Sequence, residues 1–438
     1  VYYNVYYKYQ QGYVSIKTVY TIHNIEYQGK YGKEVLGELM GIPMYNANLL
    51  DYDGSVNMLK GAIETADKII TVSPSYAWEI MDPWYAHGLD RILVTKQYKL
   101  RGIMNGIDTK LYDPDNDKAI AAKYSAKSPE GKKKCREELI RSFGLADGDE
   151  PIVGIVTRFV RHKGIDLIRC VFEEMVHNGI KFAVLGSGEK IYEDFFIEMA
   201  ARYSERVAVT VGFEPELSHR IYAGADMFLM PSQSEPCGLA QMIAMRYGTI
   251  PIVRETGGLK DTVEPYNEYE STGTGFSFVN YNAHEMLATI RYAEKIYYDR
   301  KREWNKMIDR AMAADFSPIS QSYYKKALTY YNAGNIADAK TYFKRVISVE
   351  PEYADAYYNM GVIMENERKI KSAEYYYKKA ASINPNDYEV KYRLGVCLNE
   401  LRKYDEAIDY LSSIVLLKHY KSIYNDKDYL VTILFNSL

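Results

Sequence analysis

Between residues 1 and 114, short apolar runs alternate with loop signals. Residues 15–22 (SIKTVYTI) predict a strand that ends in His23-Asn24. Residues 68–73 (KIITVS) predict a second, and residues 100–105 a third that closes on Asn105-Gly106-Ile107-Asp108. Helical patterns separate these runs, which predicts a parallel sheet. Three strands are few for a doubly wound domain, so this half reads as incomplete. Residues 115–150 predict a connector with one helix. Ser128-Pro129 marks its start, with proline at the first helical position, and Phe143-Gly144 marks its stop.

Residues 151–317 carry the clearest βαβ pattern. Apolar runs at 152–156, 182–185, 207–211, 227–230 and 250–253 are separated by helical patterns. Ligands of such sheets bind beyond the carboxyl ends of the strands. Arg158, Gly186, Phe213, Glu235 and Thr256 fall at those ends.

From residue 318 the pattern changes to a repeat. Pro351 and Pro385 are 34 residues apart. Ala339, Ala373 and Ala407 share one phase, and Phe343, Tyr377 and Leu411 another. Gly361 and Gly395 match, with Ala327 at the same place in the first unit. This period resembles the tetratricopeptide repeat, with three units over 318–418. The segment 419–438 departs from the pattern, with His419 where proline closes a unit, and is expected to form a capping helix. The fold class is thus α/β followed by an all-α solenoid, in the order 1–114, 115–150, 151–317 and 318–438.

A composition of 47% hydrophobic and 26% charged residues is globular. The 55 Lys+Arg nearly balance the 58 Asp+Glu, which argues against holding nucleic acid by bulk charge. Cys135, Cys170, Cys237 and Cys397 are far apart with no CxxC pair, which predicts neither a zinc site nor a disulfide framework. No apolar run is long enough to span a membrane. The spread of the cysteines suits a reducing compartment, so a cytoplasmic location is expected, with a plastid the alternative. The chain begins at Val1 without a signal-peptide pattern, as a processed start or a piece of a longer protein does. The 44 tyrosines receive no functional account.

Several residues carry candidate chemistry. Arg158 and Lys163 lie between a strand and a helix, where two cations and helix amides suit a diphosphate. Solvated loop cations are the plainer alternative. Thr256-Gly257-Gly258-Leu259 follows a strand and opens a helix. Paired glycines there permit close approach of a phosphate, or mark a plain turn. Ser234-Glu235-Pro236-Cys237-Gly238-Leu239 is expected to begin a helix, with Glu235 at its N-terminus and Pro236 in the first turn. Gly186-Ser187-Gly188-Glu189 lacks the third glycine of a nicotinamide-binding turn. Asp113–Asp117 alternates like a calcium loop, but Lys118 replaces its glycine and no glutamate closes it. Asp51-Tyr52-Asp53-Gly54 reads as a turn, and His23 as a hydrogen-bonded loop residue.

Taken in order, these motifs form one pattern: Thr21-Ile22-His23-Asn24-Ile25 with Tyr27-Gln28-Gly29, Asn105-Gly106-Ile107-Asp108, Arg158 with Lys163-Gly164, Glu235-Pro236-Cys237-Gly238-Leu239 and Thr256-Gly257-Gly258-Leu259. The chain resembles the bacterial glycogen synthase and plant starch synthase family over about residues 14–316. That resemblance implies a GT-B fold of two Rossmann-like halves. It implies transfer of glucose from ADP-glucose to the non-reducing end of an α-1,4-glucan, with retention, no metal and no cofactor. Arg158 and Lys163 then neutralise the departing diphosphate, and Glu235 holds the transferred glucose. Amides of Thr256, Gly257 and Gly258 assist, Phe213 stacks on the adenine, and Cys237, Gly238 and Leu239 adjoin the donor. His23 and Asn105 lie on the sugar side. The family's Lys-x-Gly-Gly-Leu loop and Asp-Trp-His segment are not found here, so the chain is expected to start inside the N-terminal domain. Two alternatives stay open: a donor-binding remnant without turnover, and a scaffold whose repeats over 318–418 bind a protein partner. No nucleic acid or membrane partner is expected.

Overall fold

The computed structural model describes residues 1–415 apart from 2, 11, 14, 39 and 386. The expected capping helix of 419–438 lies outside the described residues. The chain divides into two compact units, Val1–Phe316 and Ser317–Leu438.

The first unit contains two parallel sheets. β1 (Val19–Ile22), β5 (Lys68–Thr71) and β6 (Leu100–Gly102) form a three-stranded sheet in the order β1-β5-β6. Each strand is shorter than the apolar run that predicted it. A second small sheet is antiparallel, from β2 (Lys30–Tyr31), β3 (Asp51–Tyr52) and β4 (Ser55–Asn57). It escaped the sequence reading because its strands are only two or three residues long. Asp53 and Gly54 form its hairpin turn, both with positive φ.

The larger sheet has six parallel strands: β7 (Ile152–Val156), β8 (Lys181–Gly186), β9 (Val207–Val211), β10 (Met227–Met230), β11 (Ile250–Arg254) and β12 (Phe276–Phe278). Helices cover both faces, so β8, β10 and β11 are buried throughout and read as unbroken apolar runs. Its order, β12-β11-β10-β7-β8-β9, is that of a doubly wound sheet. The order reverses between β7 and β10. A crevice therefore opens between the loops that follow those two strands, residues 157–163 and 231–238.

The connector packs into this half. Its helix is Glu130–Phe143, and Gly144 closes it in the left-handed conformation. Pro129 is the residue before the helix and not its first, one place later than expected. Lys132 Nζ lies within hydrogen-bond distance of Ala223 O, Ala225 O, Tyr247 O and Thr249 Oγ1.

The second unit contains three helical hairpins among the described residues: Ile319–Asn332 with Ile336–Val349, Ala354–Asn366 with Ile370–Ile383, and Tyr388–Glu400 with Tyr404–Val415. Ala339, Ala373 and Ala407 are fully buried, as are Phe343, Tyr377 and Leu411. The matching glycines have a steric cause. A Cβ on Gly361 would lie 2.5 Å from the Tyr377 ring, and one on Gly395 2.5 Å from Leu411. A further repeating position appears only in the backbone. Gly334, Arg368 and Arg402 take φ of 77°, 60° and 60° at the turn of successive hairpins.

Candidate active site

Loops from both parallel sheets of the first unit line a cavity of about 710 Å³. His23 follows β1, and Asn105 lies beyond β6. Arg158, Arg161, His162 and Lys163 follow β7, and Gln233 to Gly238 follow β10. The cavity thus stands at the point where the order of the large sheet reverses.

Its most ordered feature is an ion pair. Lys163 Nζ lies 2.6 Å from Glu235 Oε2, and Ser232 Oγ donates to the same oxygen at 3.1 Å. Glu235 is only 6% exposed, so a lone carboxylate there would be costly, and the two partners offset its burial. Arg158 is exposed at the rim. His162 is half-buried between these cations. Burial, then the charge of Lys163, lowers its pKa below 6.5, while Glu26 and Glu235 pull the other way. Burial pushes the Cys237 thiol up to about 11, against a hydrogen bond from the Asn105 amide.

The expected helix at 234–239 does not form. The helix is Ala240–Arg246, preceded by Leu239, and no side chain caps it. Gly238 adopts φ of 67°, a left-handed turn that separates the Glu235 loop from the helix. Glu235 is consequently held by Lys163 and Ser232, not by a helix dipole.

Thr256, Gly257 and Gly258 are buried behind the cavity and do not line it. Their amides are engaged within the chain: Thr256 N with Arg254 O at 2.9 Å, Gly257 N with Glu79 Oε1 at 2.8 Å, and Gly258 N with Glu235 O at 3.1 Å. The paired glycines serve another close approach. A Cβ on Gly257 would stand 2.1 Å from Glu235 O, and one on Gly258 1.9 Å from Cys237 O. These positions let two loops pack backbone to backbone. The glycines of the expected phosphate cradle at 256–258 are thus engaged in packing between loops. Phe213 is 88% exposed, beyond the carboxyl end of the edge strand β9, and does not line the cavity. Leu239 is 47% exposed beside Gly238.

Sequence reading missed His162, Trp84, Tyr85 and Glu26, which also line the cavity. His162 had a signal, since it lies between Arg158 and Lys163. Trp84 and Tyr85 had none, because they sit in an irregular segment without a motif. Among the described residues no group of His, Cys, Asp and Glu is arranged to hold a metal ion. No described helix is long and apolar enough to cross a membrane.

Comparison with known proteins decides the family. Residues 1–95 match the starch synthase catalytic domain family, and residues 136–310 match glycosyl transferases group 1. Residues 324–388 and 365–419 match tetratricopeptide repeat families. A glycogen synthase of Bacillus cereus is 47% identical over 328 residues, covering 74% of this chain and 68% of the relative. The chain belongs to the glycogen synthase family. A second glycogen synthase, from Lachnoclostridium phytofermentans, is 48% identical over 309 residues, or 70% of this chain and 65% of the relative. The chain thus spans about two thirds of the length of these relatives. Among solved structures, the catalytic domain of starch synthase IV from Arabidopsis thaliana bound to ADP and acarbose matches with a TM-score of 0.67 and 32% identity. That match covers 77% of this chain and 70% of the other. The fold is accordingly GT-B, followed by tetratricopeptide repeats.

Proposed function

We propose that the cavity transfers glucose from ADP-glucose to the non-reducing end of an α-1,4-glucan, with the anomeric configuration retained. The observation that carries this reading is the Lys163–Glu235 pair at the sheet reversal, facing His23 and Asn105 across the cavity in a member of the glycogen synthase family.

During transfer the bond from the sugar C1 to the diphosphate oxygen breaks, and a bond from C1 to the acceptor hydroxyl oxygen forms. The acceptor proton leaves with the diphosphate. Negative charge grows on that leaving group, and Arg158 and Lys163 stand where they neutralise it. Lys163 bonds to Glu235 and lines the cavity, so the arriving diphosphate meets an ammonium already held there. Glu235 then accepts hydrogen bonds from the transferred glucose, while Cys237, Gly238 and Leu239 border the donor. His23 and Asn105 contact the sugar from the opposite wall. Phe213 turns its exposed ring to stack on the adenine. The four cysteines are unpaired, which fits a reducing compartment such as the cytoplasm.

The test is incorporation of labelled glucose from ADP-glucose into glycogen by the full chain. Glu235→Ala is expected to lower incorporation by about 100-fold or more, as loss of a group acting in the transition state does. Incorporation by the wild type no greater than by this variant overturns the reading.

A further inference from the structure

Two short helices join the walls of the cavity. Pro74–Glu79 follows β5 on one side, and Gly257–Thr262 follows β11 on the other. They run antiparallel, and each N-terminus is met by a carboxylate from the other helix. Asp261 Oδ2 accepts from Ser75 N at 2.8 Å, and Asp261 Oδ1 accepts from Ser75 Oγ at 2.6 Å. In return, Glu79 Oε1 accepts from Gly257 N at 2.8 Å and from Thr256 Oγ1 at 3.0 Å. Both carboxylates sit where a helix N-terminus favours negative charge. The other oxygen of Glu79, Oε2, is buried and has no hydrogen-bond partner among the described residues.

The contact continues to the catalytic loop. Gly258 N donates to Glu235 O, and Gly257 and Gly258 leave no room between their backbone and that of residues 235–237. Arg254, just upstream, bonds Gln233 O at 2.7 Å and Tyr85 Oη at 3.2 Å, and so joins the same two walls. Glu79 therefore connects the wall bearing His23 and Asn105 to the Glu235 loop through close-packed backbone that cannot yield without shifting.

We propose that Glu79 is a positioning residue for glucosyl transfer, fixing the Glu235–Gly238 loop at its working distance from the opposite wall. The inference rests on the glucosyltransferase reading above.

The full chain with Glu79→Ala, Glu79→Gln and Asp261→Asn tests it, with Arg158→Ala as a donor-binding control. Misplacing a reacting group by about 1 Å costs on the order of 100-fold in rate. Glu79→Ala is expected to lower kcat by about 30-fold or more, while the Kd for ADP by calorimetry stays within about twofold of the wild type. Glu79→Gln keeps the accepting oxygen and is expected to recover most of the lost kcat. Asp261→Asn lowers kcat in the same direction by a smaller factor. Arg158→Ala is expected to weaken ADP binding and to lower kcat as well, since Arg158 acts on the leaving diphosphate itself. If Glu79→Ala fails to fold, Glu79→Asp, which shortens the reach by one methylene, is expected to show the same loss of kcat. A wild-type chain that transfers glucose while Glu79→Ala keeps its full kcat overturns this inference alone. Equal losses in Glu79→Ala and Glu79→Gln, with a lowered thermal midpoint in both, also overturn it, since they mark a purely structural role. A wild-type chain that transfers none overturns the reading beneath it as well.

Discussion

Gly258 sits where two loops pack backbone to backbone, with no room for a side chain. Two adjacent glycines after a strand signal close backbone approach, to a phosphate or to another stretch of backbone, and the structure shows one such approach to Cys237 O. Nothing in a linear motif separates those two partners. Lys163 and Glu235 were legible because a cation and a carboxylate at the ends of neighbouring strands meet where the sheet order reverses. Glu79 carried no such signal, being one glutamate at the end of a short helix. Gly258→Ala forces its Cβ to within 1.9 Å of a backbone oxygen that has no rotamer to retreat to. Overpacking of this kind costs about 1–3 kcal/mol. The expected result is a lower thermal midpoint together with loss of glucose incorporation, read by differential scanning fluorimetry and the labelling assay. An unchanged midpoint contradicts the packing account.

At the scale of elements, buried parallel strands were the easiest to read. β10 spans Met227–Met230 as predicted, because burial on both faces leaves a bounded apolar run. β12 was missed because it is only three residues long. The helix expected at 234–239 was displaced by Gly238, whose left-handed φ breaks the helical path before Ala240. The helix Ala283–Asp299 carries a pH-sensitive group. Burial pushes the Glu294 carboxyl up to about 7 from an ordinary 4.5, and Arg291 offsets this only in part. A folded chain with a raised pKa holds a proton that the unfolded chain releases. The group's contribution to stability is therefore present below 4.5 and is lost as pH rises through about 7. Glu294→Gln removes this loss. The variant's advantage in thermal midpoint over the wild type is expected to widen from about pH 5 to about pH 8. An advantage that does not change with pH contradicts the assignment.

The whole molecule combines a GT-B unit ending at Phe316 with a repeat unit beginning at Ser317. The repeat was legible because small and large side chains must alternate between facing helices at a fixed spacing, as Gly361 against Tyr377 and Gly395 against Leu411 do. The cavity was legible only in parts. Its walls come from loops scattered between residues 23 and 238, and tertiary packing alone decides which of them meet. The place where a donor diphosphate binds decides what the cavity does. A crystal structure of the full chain with ADP measures this directly. The predicted result is a diphosphate bonded to both Arg158 and Lys163, with Glu79 still on the Gly257 amide. A diphosphate seated on the amides of Gly257 and Gly258 with Glu79 displaced, or one bound away from residues 158–163, would contradict it.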